Sequence, residues 1–144
     1  VRDSAEMAVR SGIKFIQFAV RPEEDAVAID EYLKSMKPVP SPHKGESVQR
    51  GKAVFEKAGC AECHSGPYYT DKTHYIVGTE SNGESEFDTP SLYEVWRTAP
   101  CLHDGRAATL KDMLTKFNTD DSHGKTSKLT EAELNDLIAY VSSL

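Results

Sequence analysis

The segment Cys-Ala-Glu-Cys-His at residues 60–64 constrains the fold of this chain more than any other feature. Cys-x-x-Cys-His is the attachment signature of a c-type haem, in which each cysteine sulfur adds to one vinyl group of the porphyrin. Two intervening residues let one helical turn present both sulfurs to the same haem edge, and the histidine then points at the iron. The motif therefore predicts one haem c, bound covalently through Cys60 and Cys63, with His64 as the proximal ligand.

Two other kinds of site use a Cys-x-x-Cys pair, and the surrounding sequence disfavours both. A zinc site needs a second pair of ligands at similar spacing, but the remaining cysteine is Cys101 and no second pair or His-x3-His motif is present. A thioredoxin-like redox site is expected within a βαβ unit and has no need for His64. Here residues 51–59, directly before the motif, have the character of a helix.

The composition fits a chain that needs a cofactor to complete its core. Of the 144 residues, 38% are hydrophobic and 28% are charged, so a buried haem would add apolar contact area. The formal net charge of −6 disfavours nucleic acid as a partner, and no apolar run reaches the length of a membrane span. The sequence opens with neither Met nor a signal peptide. Since haem is normally attached outside the cytoplasm, we expect a piece of a longer exported protein, in the periplasm or another extracytoplasmic space.

Three segments follow one another along the chain. Residues 1–37 are helical in character, and Pro22 with the acidic residues after it marks the start of a second helix there. The Pro-rich residues 38–44 form a stiff linker. Residues 45–144 form a mono-haem domain. We expect helices in this domain at 45–58, 89–97, 109–117 and 130–144. We expect loops at 65–90, with a short strand at 74–77, and at 118–128.

The first segment echoes the end of the chain. Residues 23–36 resemble residues 131–144, with glutamate, tyrosine and serine at matching positions. Because the second copy ends the haem domain, the first copy is interpreted as the last helix of a preceding, similar domain. The alternative is two ordinary amphipathic helices that share a composition.

Residues 45–144 resemble a class I cytochrome c domain, and more closely the C-terminal haem domain of the di-haem cytochrome c peroxidase and MauG family. The residues that carry this resemblance are the motif at 60–64, Gly66-Pro67, and the stretches at 87–92, 98–110 and 129–144. It implies an all-α class I cytochrome c fold, with helices wrapped around one covalently bound haem and with long irregular loops. This chain departs from the family in two places: Cys101 stands where the family has Tyr, and Phe117 aligns with the family's distal Met or Tyr.

Several residues are expected around the haem. The resemblance implies that the second nitrogen of His64 donates to a backbone carbonyl, which we assign to Pro67. Trp96, together with Tyr68 or Tyr69, is expected to pack against the porphyrin. Arg97 and Arg106 are candidates for pairing with the haem propionates, the alternative being that both are solvated at the surface. Cys101 is expected to be a small buried residue, or to pair with another molecule.

Several residues are candidates for the distal ligand, because Phe117 stands at the family's ligand position and phenylalanine cannot bind iron. His123 lies in the loop where class I cytochromes c place their distal ligand, and it is our first choice. Met113 is second, because a methionine on the apolar face of a helix is more often part of the core. His103 lies in a His-Asp-Gly turn that the family keeps with either ligand. The histidines at 43 and 74 lie outside the expected loop.

The sequence thus favours electron transfer by a domain of a larger redox protein. Two filled axial positions leave no place for substrate, and the acidic surface suits a basic redox partner or an adjacent haem domain. The alternative is a haem peroxidase or MauG-like domain, which requires an open or labile distal position and, in the relatives, a second haem. Whether the chain is itself an enzyme is not decided by its sequence.

Overall fold

The computed structural model describes residues 4–79 and 86–144, which divide into two compact units, residues 4–38 and 39–144. Residues 80–85 of the predicted loop at 65–90 lie outside the described residues, as do residues 1–3. Within the described part, no helix is both long enough and apolar enough to cross a membrane.

The first unit consists of two helices, α1 (Ala5–Phe15) and α2 (Glu23–Ser35). The side chain of Ser4 accepts a hydrogen bond from the Met7 N–H and caps α1. Arg10 connects the two helices, because its Nη1 donates to Asp30 over 2.7 Å and its Nε donates to Glu23 over 2.9 Å. Of the described residues in this unit, Ala26 and Asp30 are the ones that are buried.

The second unit begins with residues outside any helix or strand, and two of them are hydrogen-bonded to later residues of the unit. The N–H of Val39 donates to the carboxylate of Glu94, and the hydroxyl of Ser41 donates to the Ser142 carbonyl over 2.6 Å. Three helices follow: α3 (Glu46–Lys57), α4 (Leu110–Thr115) and α5 (Glu131–Ser142).

Helices α3 and α5 pack against each other at the centre of this unit. Gly51 permits their contact, because a Cβ there would lie only 1.9 Å from the backbone oxygen of Asp136. Arg50 also pairs with Asp136, with Nε 2.7 Å from Oδ2. The buried apolar core formed around these helices consists of Val54, Phe55, Ala58, Leu114, Leu134, Leu137 and Val141.

Capping residues define where α4 and α5 begin. Thr109 accepts a hydrogen bond from the Asp112 N–H at the start of α4. Thr130 and Glu133 form a complete capping box at the start of α5, as the sequence predicts. Helix α4 ends at Thr115, two residues before the predicted end at position 117.

The remaining described residues of the second unit are irregular, apart from single turns and a small ribbon. Strands β1 (His74–Tyr75) and β2 (Phe87–Asp88) pair antiparallel, so that Tyr75 faces Phe87 across the ribbon. The predicted helix at 89–97 is reduced to a 3-10 turn at Val95–Arg97. The reason is local, since Glu94 adopts the left-handed conformation (φ +60°) and a right-handed helix cannot continue through it.

Candidate haem site

The Cys-x-x-Cys-His motif lies on a tight turn directly after α3. Gly59 ends the helix at φ +78°, and Cys60–Glu62 form one 3-10 turn. The His64 N–H donates to the Cys60 carbonyl over 2.9 Å. This turn places Cys60, Cys63 and His64 together on the wall of a cavity of about 520 Å³. Cavities of this size are typical of small-molecule and cofactor sites.

The cavity wall is mostly apolar and draws on all three helices of the second unit. Helix α3 contributes Phe55, and the ribbon contributes Tyr75 and Phe87. The apolar side chains from the later part of the chain are Leu92, Val95, Leu102, Leu110, Met113, Leu114, Leu137 and Val141. A wall of this kind fits a flat, largely apolar cofactor.

His64 is half-buried and is oriented by a backbone carbonyl. Its Nδ1 lies 3.2 Å from the carbonyl oxygen of Tyr69. Burial lowers the pKa of His64, while the carbonyls of Tyr69 and Pro90 act in the opposite direction. The lowered pKa favours the neutral imidazole, which is the form that binds metals.

The acceptor for His64 differs from the prediction, which named the carbonyl of Pro67. Gly66 and Tyr69 both adopt left-handed conformations, with φ of +68° and +53°. The Tyr69 N–H also donates to the Gly66 carbonyl over 3.3 Å, so the segment forms a tight turn. This turn brings the Tyr69 carbonyl back to the His64 ring, while Pro67 stays exposed.

His123 lies across from His64 on the wall of the same cavity. The centroids of the two imidazole rings are 6.3 Å apart, and the ring planes are inclined by 31°. Burial lowers the pKa of His123, and the nearby His64 lowers it further. Its Nδ1 is buried and has no hydrogen-bond partner among the residues that the structure describes. Both imidazoles therefore favour the neutral form.

The loop that carries His123 is held by a buried amide rather than being flexible. The side chain of Asn118 accepts the His123 N–H over 2.8 Å and donates to Gly124 and to Thr126, each over 2.8 Å. Farther along the loop, the Lys125 N–H donates to the Ala58 carbonyl at the end of α3 over 2.8 Å. The loop is thereby fixed to the same helix end that carries the cysteine motif.

Both motif thiols favour the protonated form. Burial raises the pKa of Cys60 to about 11. Burial also raises the pKa of Cys63, although a hydrogen bond with Tyr75 acts in the opposite direction. Tyr75 itself donates to Asp71 over 2.6 Å, and this bond raises the pKa of Tyr75 to about 12. The tyrosine therefore stays neutral beside Cys63.

Two further distal candidates also lie on the cavity wall, namely Met113 and His103. The His103 ring stacks on Phe87, with centroids 4.5 Å apart. Met113 packs against the apolar core. The histidines at 43 and 74 are exposed and are not among the described residues that line the cavity.

Several other predicted residues lie away from the described cavity wall. Trp96 is half-buried on the 3-10 turn, and its Nε1 is buried with no described partner. Arg97 is exposed and bonds to Glu94, with Nε 2.8 Å from Oε2. Arg106 donates to the Thr79 carbonyl and lies over the Phe117 ring, 5.5 Å from its centroid. The pairing of either guanidinium with a haem propionate stays a prediction.

Cys101 lines the cavity and is half-buried. It forms a backbone bridge with Ala107 across the turn at 101–107. Burial raises the pKa of its thiol.

The cavity wall also contains three aromatic residues that were not predicted there, Phe55, Tyr75 and Phe87. Their aromatic character between glycine-rich and polar stretches was the available signal.

Comparison with known proteins gives one family and several relatives. The sequence model of the family described as Cytochrome c matches residues 48–144. Cytochrome-c peroxidase IdrP1 of Denitromonas iodatirespirans is 32% identical, over 67% of this chain and 40% of that protein. The methylamine utilization protein MauG of Methylophilus methylotrophus is 31% identical, over 69% of this chain and 37% of that protein.

Hydrazine synthase provides one match in sequence and one in structure. The gamma subunit of hydrazine synthase from Kuenenia stuttgartiensis is 37% identical over 58% of this chain and 23% of that protein. A solved structure of Kuenenia stuttgartiensis hydrazine synthase, pressurised with xenon, superposes with a TM-score of 0.75 at 25% identity. The match covers 95% of this chain and 60% of that one. The chain thus spans between 23% and 40% of the length of these three curated relatives.

Proposed function

Because this chain belongs to the cytochrome c family, whose members bind a c-type haem covalently, we propose that it transfers single electrons through one haem attached at Cys60 and Cys63. His64 and His123 are the proposed axial ligands. Family membership confirms the resemblance found in the sequence, and the helical structure with long loops confirms the class I cytochrome c fold.

The separation of the two histidine rings is the observation that carries this proposal. Two imidazoles that bind one metal ion from opposite sides have ring centroids about 6 Å apart, since each nitrogen–metal bond is about 2 Å and each ring adds about 1 Å. The centroids of His64 and His123 are 6.3 Å apart. The buried Nδ1 of His123, without a described partner, also fits a ring that faces a cofactor.

The remaining groups of the site fit the same role. Cys60 and Cys63 would hold the haem through their sulfurs, and both thiols favour the protonated form. Neutral His64 and His123 keep lone pairs available for the iron. With both imidazoles bound, the haem would supply one-electron chemistry and would have no position for substrate.

We further propose that the chain is a domain of a larger exported redox protein. The part that matches covers only 23% to 40% of each curated relative. The first unit also has little interior of its own, since its exposed large apolar side chains are Met7, Phe15, Ile16, Phe18, Val20, Val27, Ile29, Tyr32 and Met36. This supports the interpretation of residues 1–37 as the tail of a preceding, similar domain. The expected electron partner is that domain or a separate redox protein in the periplasm.

A second candidate is a peroxidase-type enzyme, and the relatives named cytochrome-c peroxidase and MauG favour it. That function requires a distal position that opens to peroxide. His123 would then be a ligand that leaves, which conflicts with the fixed loop that holds it.

A redox titration of the haem-loaded protein, followed by peroxide addition, separates the two candidates. Electron transfer predicts a reversible one-electron titration and no turnover of hydrogen peroxide with a reduced electron donor. Sustained peroxide consumption by the chain alone would support the enzyme instead. The control is the His123→Ala variant, in which an opened distal position is expected to increase peroxide reactivity.

A further inference from the structure

The carbonyl that orients His64 comes from a residue in an unusual backbone conformation. Tyr69 has φ +53°, a region that a bulky side chain seldom occupies without support. The Nδ1 of His64 lies 3.2 Å from the Tyr69 oxygen. The direction of this carbonyl depends on the Tyr69 backbone, so whatever holds that backbone also holds the imidazole.

The Tyr69 side chain is held by rings from three other parts of the second unit. Its ring meets Phe55 of α3 edge-on, with centroids 6.5 Å apart, and meets Tyr93 edge-on at 5.8 Å. Its hydroxyl lies 3.4 Å from the hydroxyl of Tyr140 on α5. Phe55 and Tyr140 also contact each other, with centroids 5.2 Å apart. Edge-to-face pairs of this kind favour one ring geometry over others.

We propose that Tyr69 is a positioning residue for the proximal ligand: its ring, clamped by Phe55, Tyr93 and Tyr140, fixes the carbonyl that accepts from His64 Nδ1 and so tunes the haem potential. This rests on the proposed function, in which His64 binds the iron. The backbone bond raises the basicity of the imidazole. A more basic ligand stabilises the oxidised iron more than the reduced iron, so the bond keeps the midpoint potential low.

The structure suggests a matched set of variants. Tyr69→Ala removes the clamped ring but keeps the backbone carbonyl. Tyr69→Phe keeps the ring contacts and removes only the hydroxyl. Tyr32→Ala is the control, because Tyr32 is 66% exposed and lies on α2 in the first unit. Tyr69→Leu is a second test variant that retains more apolar volume if the alanine protein does not fold.

The readouts are the midpoint potential and the EPR spectrum of the haem-loaded proteins. We expect Tyr69→Ala or Tyr69→Leu to change the redox equilibrium about tenfold, which is a rise of about 59 mV for a one-electron couple. Tyr69→Phe should stay close to the wild-type potential because it keeps the ring contacts, and Tyr32→Ala should match the wild-type potential. All variants should stay low-spin, because His64 and His123 both remain present.

Two results separate failure of this inference from failure of the proposed function. If both Tyr69→Ala and Tyr69→Leu fold, remain low-spin and titrate at the wild-type potential, Tyr69 is only a core residue and the inference is overturned. The same follows if Tyr32→Ala shifts the potential as much as they do. If instead the wild-type protein is high-spin, the proposed pair of axial ligands fails, whatever the Tyr69 variants show.

Discussion

At the scale of single residues, Gly51 illustrates how closely the site depends on helix packing. The cysteine motif follows α3 directly, and α5 contributes Leu137 and Val141 to the cavity wall. The distance between α3 and α5 therefore sets the shape of the cavity. At Gly51 the two helix backbones lie so close together that an added Cβ would lie 1.9 Å from the backbone oxygen of Asp136.

We expect Gly51→Ala to destabilise the protein, because α3 and α5 must separate to admit the methyl group. The cost should be at least about 1–3 kcal/mol, the usual range for overpacking. Urea unfolding measures it, with Gly12→Ala as the control. Gly12 lies in α1 with nothing within 4 Å of an added Cβ, so alanine there should be neutral or stabilise by up to about 1 kcal/mol. Equal effects of the two substitutions would contradict the packing argument.

At the scale of elements, the loop at 118–127 and the capped start of α5 determine how firmly the distal side is built. Asn118 bonds to the His123 N–H, to Gly124 and to Thr126, and it is 2% exposed. Asp121 accepts the Thr126 and Ser127 N–H groups over 2.9 and 2.8 Å. The loop thus has a hydrogen-bonded interior of its own.

Asn118→Ala should loosen His123 as well as lower stability. Three buried hydrogen bonds are lost, which should reduce the free energy of unfolding by about 2–3 kcal/mol. Carbon monoxide should also bind faster to the reduced, haem-loaded protein, because it competes with His123 for the distal position. Thr119→Ala, at the exposed neighbouring position, should leave both quantities close to wild type. Unchanged carbon monoxide kinetics in a destabilised Asn118→Ala protein would show that the loop does not hold the ligand.

The start of α5 makes stability depend on pH. The hydrogen bond from Lys57, and then those from Thr130, lower the pKa of Glu133 from 4.5 to about 2. Because the pKa is depressed in the folded state, the carboxylate stabilises the fold above about pH 4.5, and this contribution is lost as pH falls towards about 2. We expect Glu133→Gln to be less stable than wild type at neutral pH, with the difference vanishing near pH 2. Urea midpoints across this range test it, and a constant difference would refute the linkage.

The structure also shows which elements can be predicted from local sequence and which cannot. The starts of α4 and α5 follow from the capping residues Thr109 and Thr130, and the start of α2 follows from Pro22, because each acts within one turn. The helix expected at 89–97 fails because Glu94 adopts a left-handed conformation that propensities do not reveal. Likewise, a two-residue strand is too short to show the alternation that would place Tyr75 and Phe87 on the cavity wall.

At the scale of the whole molecule, the sequence predicted the side of the cavity that carries the cysteine motif better than the opposite side. Cys60, Cys63 and His64 lie within five residues of one another, so their meeting at one cavity needs only a local turn. His123 reaches the cavity through a hydrogen bond to Asn118 in its own loop and through the bond of Lys125 to Ala58, a long-range contact that no local pattern encodes. The Tyr69 carbonyl was missed for the same reason, since it depends on a left-handed turn and on rings from α3 and α5.

The proposed function of the whole molecule depends on the side of the cavity that carries His123. A filled distal position gives an electron carrier, whereas an open one permits catalysis. Optical and EPR spectra of the haem-loaded wild type, His123→Ala and Met113→Ala proteins test this most directly. We predict a low-spin, six-coordinate wild type, an unchanged Met113→Ala spectrum, and a high-spin signal in His123→Ala. A high-spin wild type, or a His123→Ala spectrum identical to wild type, would contradict the proposed histidine pair.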